Sequence, residues 1–251
     1  MQNLLAAFIF FTRLPFGRWV NIPAAAYKRV VPFWSFTGWL TAGLSVLALF
    51  LSSIILPYSV ALLLAILTRL LLTGGLHEDG LADFLDGFGG GTSRERILLI
   101  MKDSHIGTYG VIGLIAYFAL FYALLYSLPI ELAGFVWLAG DPFAKGLAGQ
   151  VINRLPYVRK EEKAKSKTVY DKMTAGELLF CLLGALLPLY CLPDMRLLGA
   201  VVLPVCLWFF LTTLMKHKIG GYTGDCCGAL FLLCELSFYL GVVIVYQNVM
   251  V

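Results

Sequence analysis

Residues 77–91 read HEDGLADFLDGFGGG and place Glu78, Asp79, Asp83 and Asp86 inside a chain that is 60% hydrophobic. Asp79, Asp83 and Asp86 are spaced i, i+4, i+7, which on an α-helix aligns three carboxylates on one face, with the small residues Gly80, Ala82 and Gly87 between them. Like charges so arranged repel, and next to an apolar layer they are costly to desolvate, so a cation is expected to compensate them. Donors that are all oxygen suit a hard divalent ion, Mg²⁺ with Mn²⁺ as an alternative, better than zinc. The expected metal ligands are Glu78, Asp79, Asp83 and Asp86. Magnesium keeps several waters and takes further ligands from substrate phosphates, which points to a diphosphate partner. The plain alternative is a solvated amphipathic helix with incidental acids.

Two further polar islands have the right composition for a phosphorylated substrate. Arg94, Arg96 and Lys102 can hold phosphate oxygens, and Asp103, Ser104, Gly107 and Thr108 open the next apolar run, where a helix N-terminus offers free N–H groups to an anion. Taken alone, the three cations also read as charges that set membrane orientation. In KHKIGGYTGDCCGA, residues 216–229, the glycines including Gly221 and Gly224 allow a tight backbone around Thr223 and Asp225. Asp225 is a candidate metal ligand, a candidate base, or the N-cap of the last helix. His77, two residues before Asp79, is a candidate base as well as an ordinary hydrogen-bonded residue at the end of a span. Three side chains, Asp86, Asp225 and His77, are therefore open as the catalytic proton acceptor. The six cysteines all fall in the last third, with no two-residue spacing of a metal knuckle, and read as small apolar packing residues.

The elements that must position these groups are membrane helices. Mean hydropathy of +0.85 and only 14% charged residues in 251 put the chain outside the soluble globular range. Apolar runs long enough to cross a hydrocarbon layer lie near residues 33–56, 58–76, 108–128, 132–152, 177–192, 197–215 and 229–246. The expected fold is thus all-α: a polytopic integral membrane helical bundle in one domain. It has about seven transmembrane helices and a short N-terminal interfacial or re-entrant helix that stops before Pro15. No basic n-region or small-residue cleavage pattern marks a signal peptide.

Basic residues fix the orientation. Four lie before the first run, three between the second and third, seven between the fourth and fifth and two before the last, so 16 of the 19 Lys and Arg fall on one side. The opposite loops hold Arg196 alone. Lysine and arginine stay cytoplasmic in short loops, so the N-terminus is expected inside, together with polar loops near residues 77–107, 153–176 and 216–228. The most basic of these, residues 154–172, suits an orienting segment that binds anionic membrane lipids; steering of anionic substrates is the sharper alternative. Nothing in the composition points to nucleic acid, and the chain is open to homo-oligomer formation.

Three motifs together resemble the cobalamin synthase family, the adenosylcobinamide-GDP ribazoletransferases. They are His77-x-Asp79-Gly80-Leu81-Ala82-Asp83-x-x-Asp86-Gly87, then Met101-Lys102-Asp103-Ser104-x-Ile106-Gly107-Thr108-x-Gly110, then Gly220-Gly221-x-Thr223-Gly224-Asp225-x-x-Gly228-Ala229. Phe11-Thr12-Arg13-Leu14-Pro15 is similar to the family's N-terminal signature, while residues 141–172 show the least resemblance. The resemblance implies an enzyme of the bacterial inner membrane that joins adenosylcobinamide-GDP to α-ribazole or its 5′-phosphate. GMP leaves, and adenosylcobalamin or its phosphate forms. Such phosphoryl transfer rests on positioning and on neutralising the phosphates by metal and Lys/Arg.

Two rival readings are a phosphotransferase of the CDP-alcohol type, whose Asp-Gly-x-x-Ala-Arg pattern gives way here to Asp-Phe after Ala82, and a cation-coupled transporter, for which midplane acids are expected. The charge asymmetry is directly checkable. In a cysteine-free background, cysteines placed at Ser93, Ser166 and Thr223 should escape an impermeant reagent in intact cells; labelling of any of them overturns the orientation.

Overall fold

The computed structural model describes residues 2–159 and 169–250, and no strand occurs among them. Pro57 and Pro129 occupy N-cap positions of the helices that follow them, where a missing N–H costs nothing. Twelve α-helices fall within the described residues: α1 Gln2–Phe11, α2 Ala24–Tyr27, α3 Trp34–Ser53, α4 Tyr58–Thr73, α5 Leu76–Gly90 and α6 Arg94–Ile100, then α7 Thr108–Tyr126, α8 Ile130–Gly149, α9 Val151–Arg154, α10 Ala175–Leu186, α11 Val202–Ile219 and α12 Gly224–Val245. The chain is all-α, as its composition requires.

Four stretches are long and apolar enough to cross a membrane unaided: Val31–Ser53, Thr108–Tyr126, Met195–Ile219 and Gly224–Asn248. A fifth crossing exists if the bent pair α4 and α5 counts as one span. The seven runs read from hydropathy are thus not all matched by helices of that kind, and three of them depart for local reasons. The run at 58–76 is broken because Gly74 and Gly75 adopt φ of 67° and 70°, a left-handed turn that ends α4 and starts α5 at 89° to it. The run at 132–152 forms α8, but this helix carries Glu131, Asp141 and Lys145 and is buried along most of its length inside the bundle. The run at 177–192 is helical only to Leu186 before Pro188 tightens it into a 3₁₀ turn. The short apolar α1 is present, as expected. The exposed apolar side chains, among them Leu51, Ile54, Ile115 and Phe210, lie on these helices as a lipid-facing surface would require.

Helix α12 is the hub. It packs on α5, α8, α11 and α7, while α3 packs on α4 and α8. The hub also holds charge. Arg69 of α4 is 1% exposed and places Nη1 2.6 Å from Glu235 of α12, with Nη2 2.6 Å from the Tyr117 hydroxyl of α7 and 3.3 Å from Glu78 of α5. The Tyr117 hydroxyl donates to Glu235 at 3.1 Å and the Tyr239 hydroxyl donates to Glu235 at 2.8 Å, while the guanidinium lies 4.6 Å from the centre of the Phe121 ring. A second buried pair, Lys145 and Asp141 at 2.5 Å, is joined by the Thr41 hydroxyl, which accepts from Lys145 at 2.8 Å and ties α8 to α3.

A buried pair contributes little beyond a well-packed apolar substitute, but removing one partner strands the other. Arg69→Ala leaves Glu235 and Glu78 without their cation, and should destabilise the purified protein by about 3–5 kcal/mol, read as a lowered unfolding midpoint in detergent. An Arg69→Met, Glu235→Leu, Glu78→Gln variant should recover most of that loss. An unchanged midpoint for Arg69→Ala would show that the network does not hold α4, α5, α7 and α12 together.

Candidate active site

The bend at Gly74–Gly75 turns α5 across the bundle, so that its first turn meets the first turn of α12. The two helices cross on glycine. A methyl group on Gly80 would stand 2.9 Å from the carbonyl oxygen of Asp225, and one on Gly228 3.0 Å from that of His77, so neither position tolerates a side chain without moving a helix. This crossing brings Asp79 and Asp225 onto the wall of one cavity of about 300 Å³. A second, wider hollow of about 660 Å³ lies alongside, lined by Thr12, Arg13 and the Gly74–Gly75 turn. Asp79 lines both.

The α12 end of the cavity is fixed by its cap. Thr223 Oγ1 accepts from the Cys226 amide at 3.4 Å and stands 3.4 Å from Asp225 Oδ2. Gly221 lies against the carbonyl of Pro156, and residues 156–158 pair with Tyr222: Val158 N–H donates to Tyr222 at 3.0 Å and Tyr222 N–H to Pro156 at 3.0 Å. That pairing delivers Arg159, whose Nη1 lies 3.0 Å from Asp225 Oδ2 with both side chains buried. Burial also pushes the Tyr157 phenol up to about 12, keeping it neutral beside the cavity.

The expected ligand set is only partly assembled. Asp79 and Asp83 share α5, one turn apart, and Asp79 faces the cavity. Glu78 points the other way, to Arg69. Asp86 is engaged elsewhere: its carboxylate accepts from Gly107 N–H at 2.6 Å and Gly110 N–H at 2.9 Å. The N-terminus of α7 does bind an anion, as helix N-termini do, but that anion is the protein's own Asp86. Asp86 thus caps α7 through the amides of Gly107 and Gly110, with Gly107 and Thr108 marking that cap, and it lines neither hollow. Among the described residues no three His, Cys, Asp or Glu side chains stand close enough to hold a metal between them.

The basic candidates separate as well. Arg94, Arg96, Lys102, Ser104 and Asp103 are exposed, on α6 and the turn after it, and line neither hollow. Asp103 accepts from the His105 amide at 3.0 Å and ring nitrogen at 2.8 Å, and these bonds hold its carboxyl below the ordinary range. Gly224 lines the cavity beside Asp225. Arg154 stacks over Trp208 and Phe209 at 5.4 and 5.0 Å, away from the site. Lys163, Lys165 and Lys167 lie outside the described residues.

Several cavity residues carry no motif: Phe10 of α1, Trp34 of α3, Tyr157, Arg159 and Tyr170, while Phe11 of α1 opens the N-terminal signature. Sequence spacing could not have joined them, because they meet through the α1–α3 packing and the 157–222 bridge. His77 is 3% exposed, its ring 5.4 Å from Trp34, 6.1 Å from Phe11 and 4.9 Å from Phe231. This aromatic enclosure does not suit a solvent-exchanging base.

The sequence profile of the cobalamin-5-phosphate synthase family matches residues 3–243. The chain belongs to that family. The adenosylcobinamide-GDP ribazoletransferase of Shewanella sp. (strain W3-18-1) is 36% identical over 244 residues, covering 96% of this chain and 93% of the relative. The enzyme of the same name from Shewanella woodyi is 37% identical over 245 residues, 95% of each, and that of Shewanella oneidensis 35% identical over 239 residues, 94% and 91%. No solved structure matches. Membership makes this chain a membrane transferase of cobalamin synthesis, and sets aside the CDP-alcohol and transporter readings.

The reassignment of Asp86 separates it from Asp79 experimentally. Asp86→Ala removes an α7 cap worth about 0.5–2 kcal/mol, so the variant should unfold earlier yet keep measurable turnover when held below its midpoint. Complete loss of turnover in a folded Asp86→Ala protein would return it to the reaction.

Proposed function

We propose that this chain joins adenosylcobinamide-GDP to the ribose 3′-hydroxyl of α-ribazole or its 5′-phosphate, with release of GMP. One observation carries the reading: Asp79 stands where a small aromatic-walled cavity meets a wider hollow that contains Arg13. A transferase with one small and one large anionic substrate needs two such spaces with a shared charged residue between them.

In this reading Asp79 and Asp83 hold Mg²⁺, with Mn²⁺ as a substitute. The fit rests on donor chemistry, since magnesium takes one or two protein carboxylates and completes its shell from water and phosphate, so a preassembled three-donor cluster is not required. When bound, the ion neutralises the diphosphate and draws electrons from the phosphorus under attack. Arg13, in the wider hollow, adds positive charge for the donor's phosphates. Asp225 accepts the proton of the 3′-hydroxyl as its oxygen bonds to the phosphorus attached to cobinamide, and the bond from that phosphorus to the GMP oxygen breaks. Arg159 orients the Asp225 carboxylate, since the two are paired at 3.0 Å. The tight α5–α12 crossing supplies the positioning on which phosphoryl transfer chiefly depends.

The reading places the site on the cytoplasmic side of the inner membrane. Support comes from charge: Arg13, Arg159 and the α11–α12 turn belong to the basic loops that stay inside. The same basic face suits contact with anionic lipids.

Purified protein in detergent should release GMP only when both substrates and Mg²⁺ are present, stop on chelation and resume on adding Mg²⁺. Asp79→Ala and Asp83→Ala, obtained at normal yield, should abolish release. Asp225→Asn should lower kcat by about 10²–10⁴-fold with little change in KM. Near-normal turnover in either α5 variant would remove the metal assignment; no GMP release from the wild-type protein would remove the reading itself.

A further inference from the structure

Seven buried side-chain polar atoms have no hydrogen-bond partner among the described residues, and three of them belong to residues lining the small cavity: Trp34 Nε1, His77 Nε2 and Arg159 Nη2. Buried polar atoms without partners are costly, and a protein keeps them where something else completes them. The rest of the wall is flat and apolar. Phe11 stacks on Trp34 with centroids 5.0 Å apart and planes at 13°, and Phe10 meets Tyr170 at 6.2 Å. Such a wall matches a planar bicyclic ring, and a volume of about 300 Å³ holds a base with its sugar but excludes a corrin macrocycle.

The polarity of the wall selects between the two bases the reaction contains. Trp34 Nε1 and Arg159 Nη2 can only donate. Guanine does offer N7 and O6 as acceptors, but its N1–H and amino group need acceptors of their own, which Trp34 Nε1 and Arg159 Nη2 cannot supply. A benzimidazole presents two apolar edges and one unsubstituted ring nitrogen, which only accepts. Building on the function proposed above, we infer that the Phe11–Trp34–His77 cavity is the acceptor subsite: it binds the benzimidazole base of ribazole, with indole or imidazole N–H of Trp34 or His77 bonded to its free ring nitrogen and Arg159 left for the sugar or 5′-phosphate. The acceptor hydroxyl then lies towards Asp225 and Asp79, at the mouth shared with the wider hollow. Trp34 and His77 thereby set which base enters, and neither takes part in the transfer itself.

The test is equilibrium binding to full-length protein in detergent, with no donor present. Probes are α-ribazole and its indole counterpart, in which the free ring nitrogen is replaced by C–H. The wild-type protein should bind α-ribazole about tenfold more tightly than the indole nucleoside, the effect of one hydrogen bond of about 1.4 kcal/mol. Trp34→Phe and His77→Phe keep an aromatic ring and remove the N–H; at least one should erase the preference while leaving the indole nucleoside bound as before. GMP in excess should not displace ribazole. Equal affinity of the wild-type protein for the two nucleosides, displacement by GMP, or no binding of ribazole at all would each overturn the assignment, even for an enzyme that releases GMP as proposed. Failure of GMP release with the nitrogen preference intact would instead overturn the reaction and leave the subsite standing.

Discussion

A guanidinium buried among membrane helices must be satisfied by protein, because no water is there to do it. Arg69 sits at 1% exposure with Glu235, Glu78 and Tyr117 on its nitrogens and an aromatic ring against it. Each partner comes from a different helix, so satisfying this one side chain fixes α4, α5, α7 and α12 relative to one another. Packing alone gives weak preference in lipid, where side chains and solvent are equally apolar. Charge pairing in that setting is specific instead, since any other arrangement leaves ions unpaired at high cost.

The site inherits its geometry from this constraint. Glu78, held by Arg69, immediately precedes Asp79, so the network that locks the helix rotation also points the next carboxylate away from it and into the cavity. The left-handed pair Gly74–Gly75 then makes the bend that lays α5 across α12, and Gly80 with Gly228 lets the backbones meet. Asp86, two turns further on, closes the N-terminus of α7. A single fifteen-residue helix thus divides its acids between holding the bundle and facing the cavity. Their spacing alone shows none of that division.

This explains what was legible in the sequence and what was not. Periodicity placed Asp79, Asp83 and Asp86 on one helix, and hydropathy with the family motifs gave an all-α membrane transferase. Both depend on local pattern. Hydropathy does not register the two consecutive glycines at positive φ that break the run at 58–76, and it cannot separate burial inside a bundle, as in α8, from burial in lipid. The cap role of Asp86 could not be read from the sequence because its partners, the amides of Gly107 and Gly110, are main-chain groups and leave no mark as side chains. Arg159 looked like one orienting charge among seven; only the bridge from residues 156–158 to Tyr222 brings it to Asp225. Trp34 carries no spacing signal at all.

The central claim is that Asp79 and Asp83, and not the other acids of α5 or Asp225, hold the divalent ion of the transfer. Manganese reports this directly by electron paramagnetic resonance on purified protein, since bound Mn²⁺ is distinguished from the aqueous ion without any turnover. The account predicts that wild-type protein with the diphosphate donor binds Mn²⁺, that Asp79→Asn and Asp83→Asn lose this binding, and that Glu78→Gln, Asp86→Asn and Asp225→Asn retain it. Retention in Asp79→Asn and Asp83→Asn, or loss in Asp86→Asn with the fold intact, would contradict it.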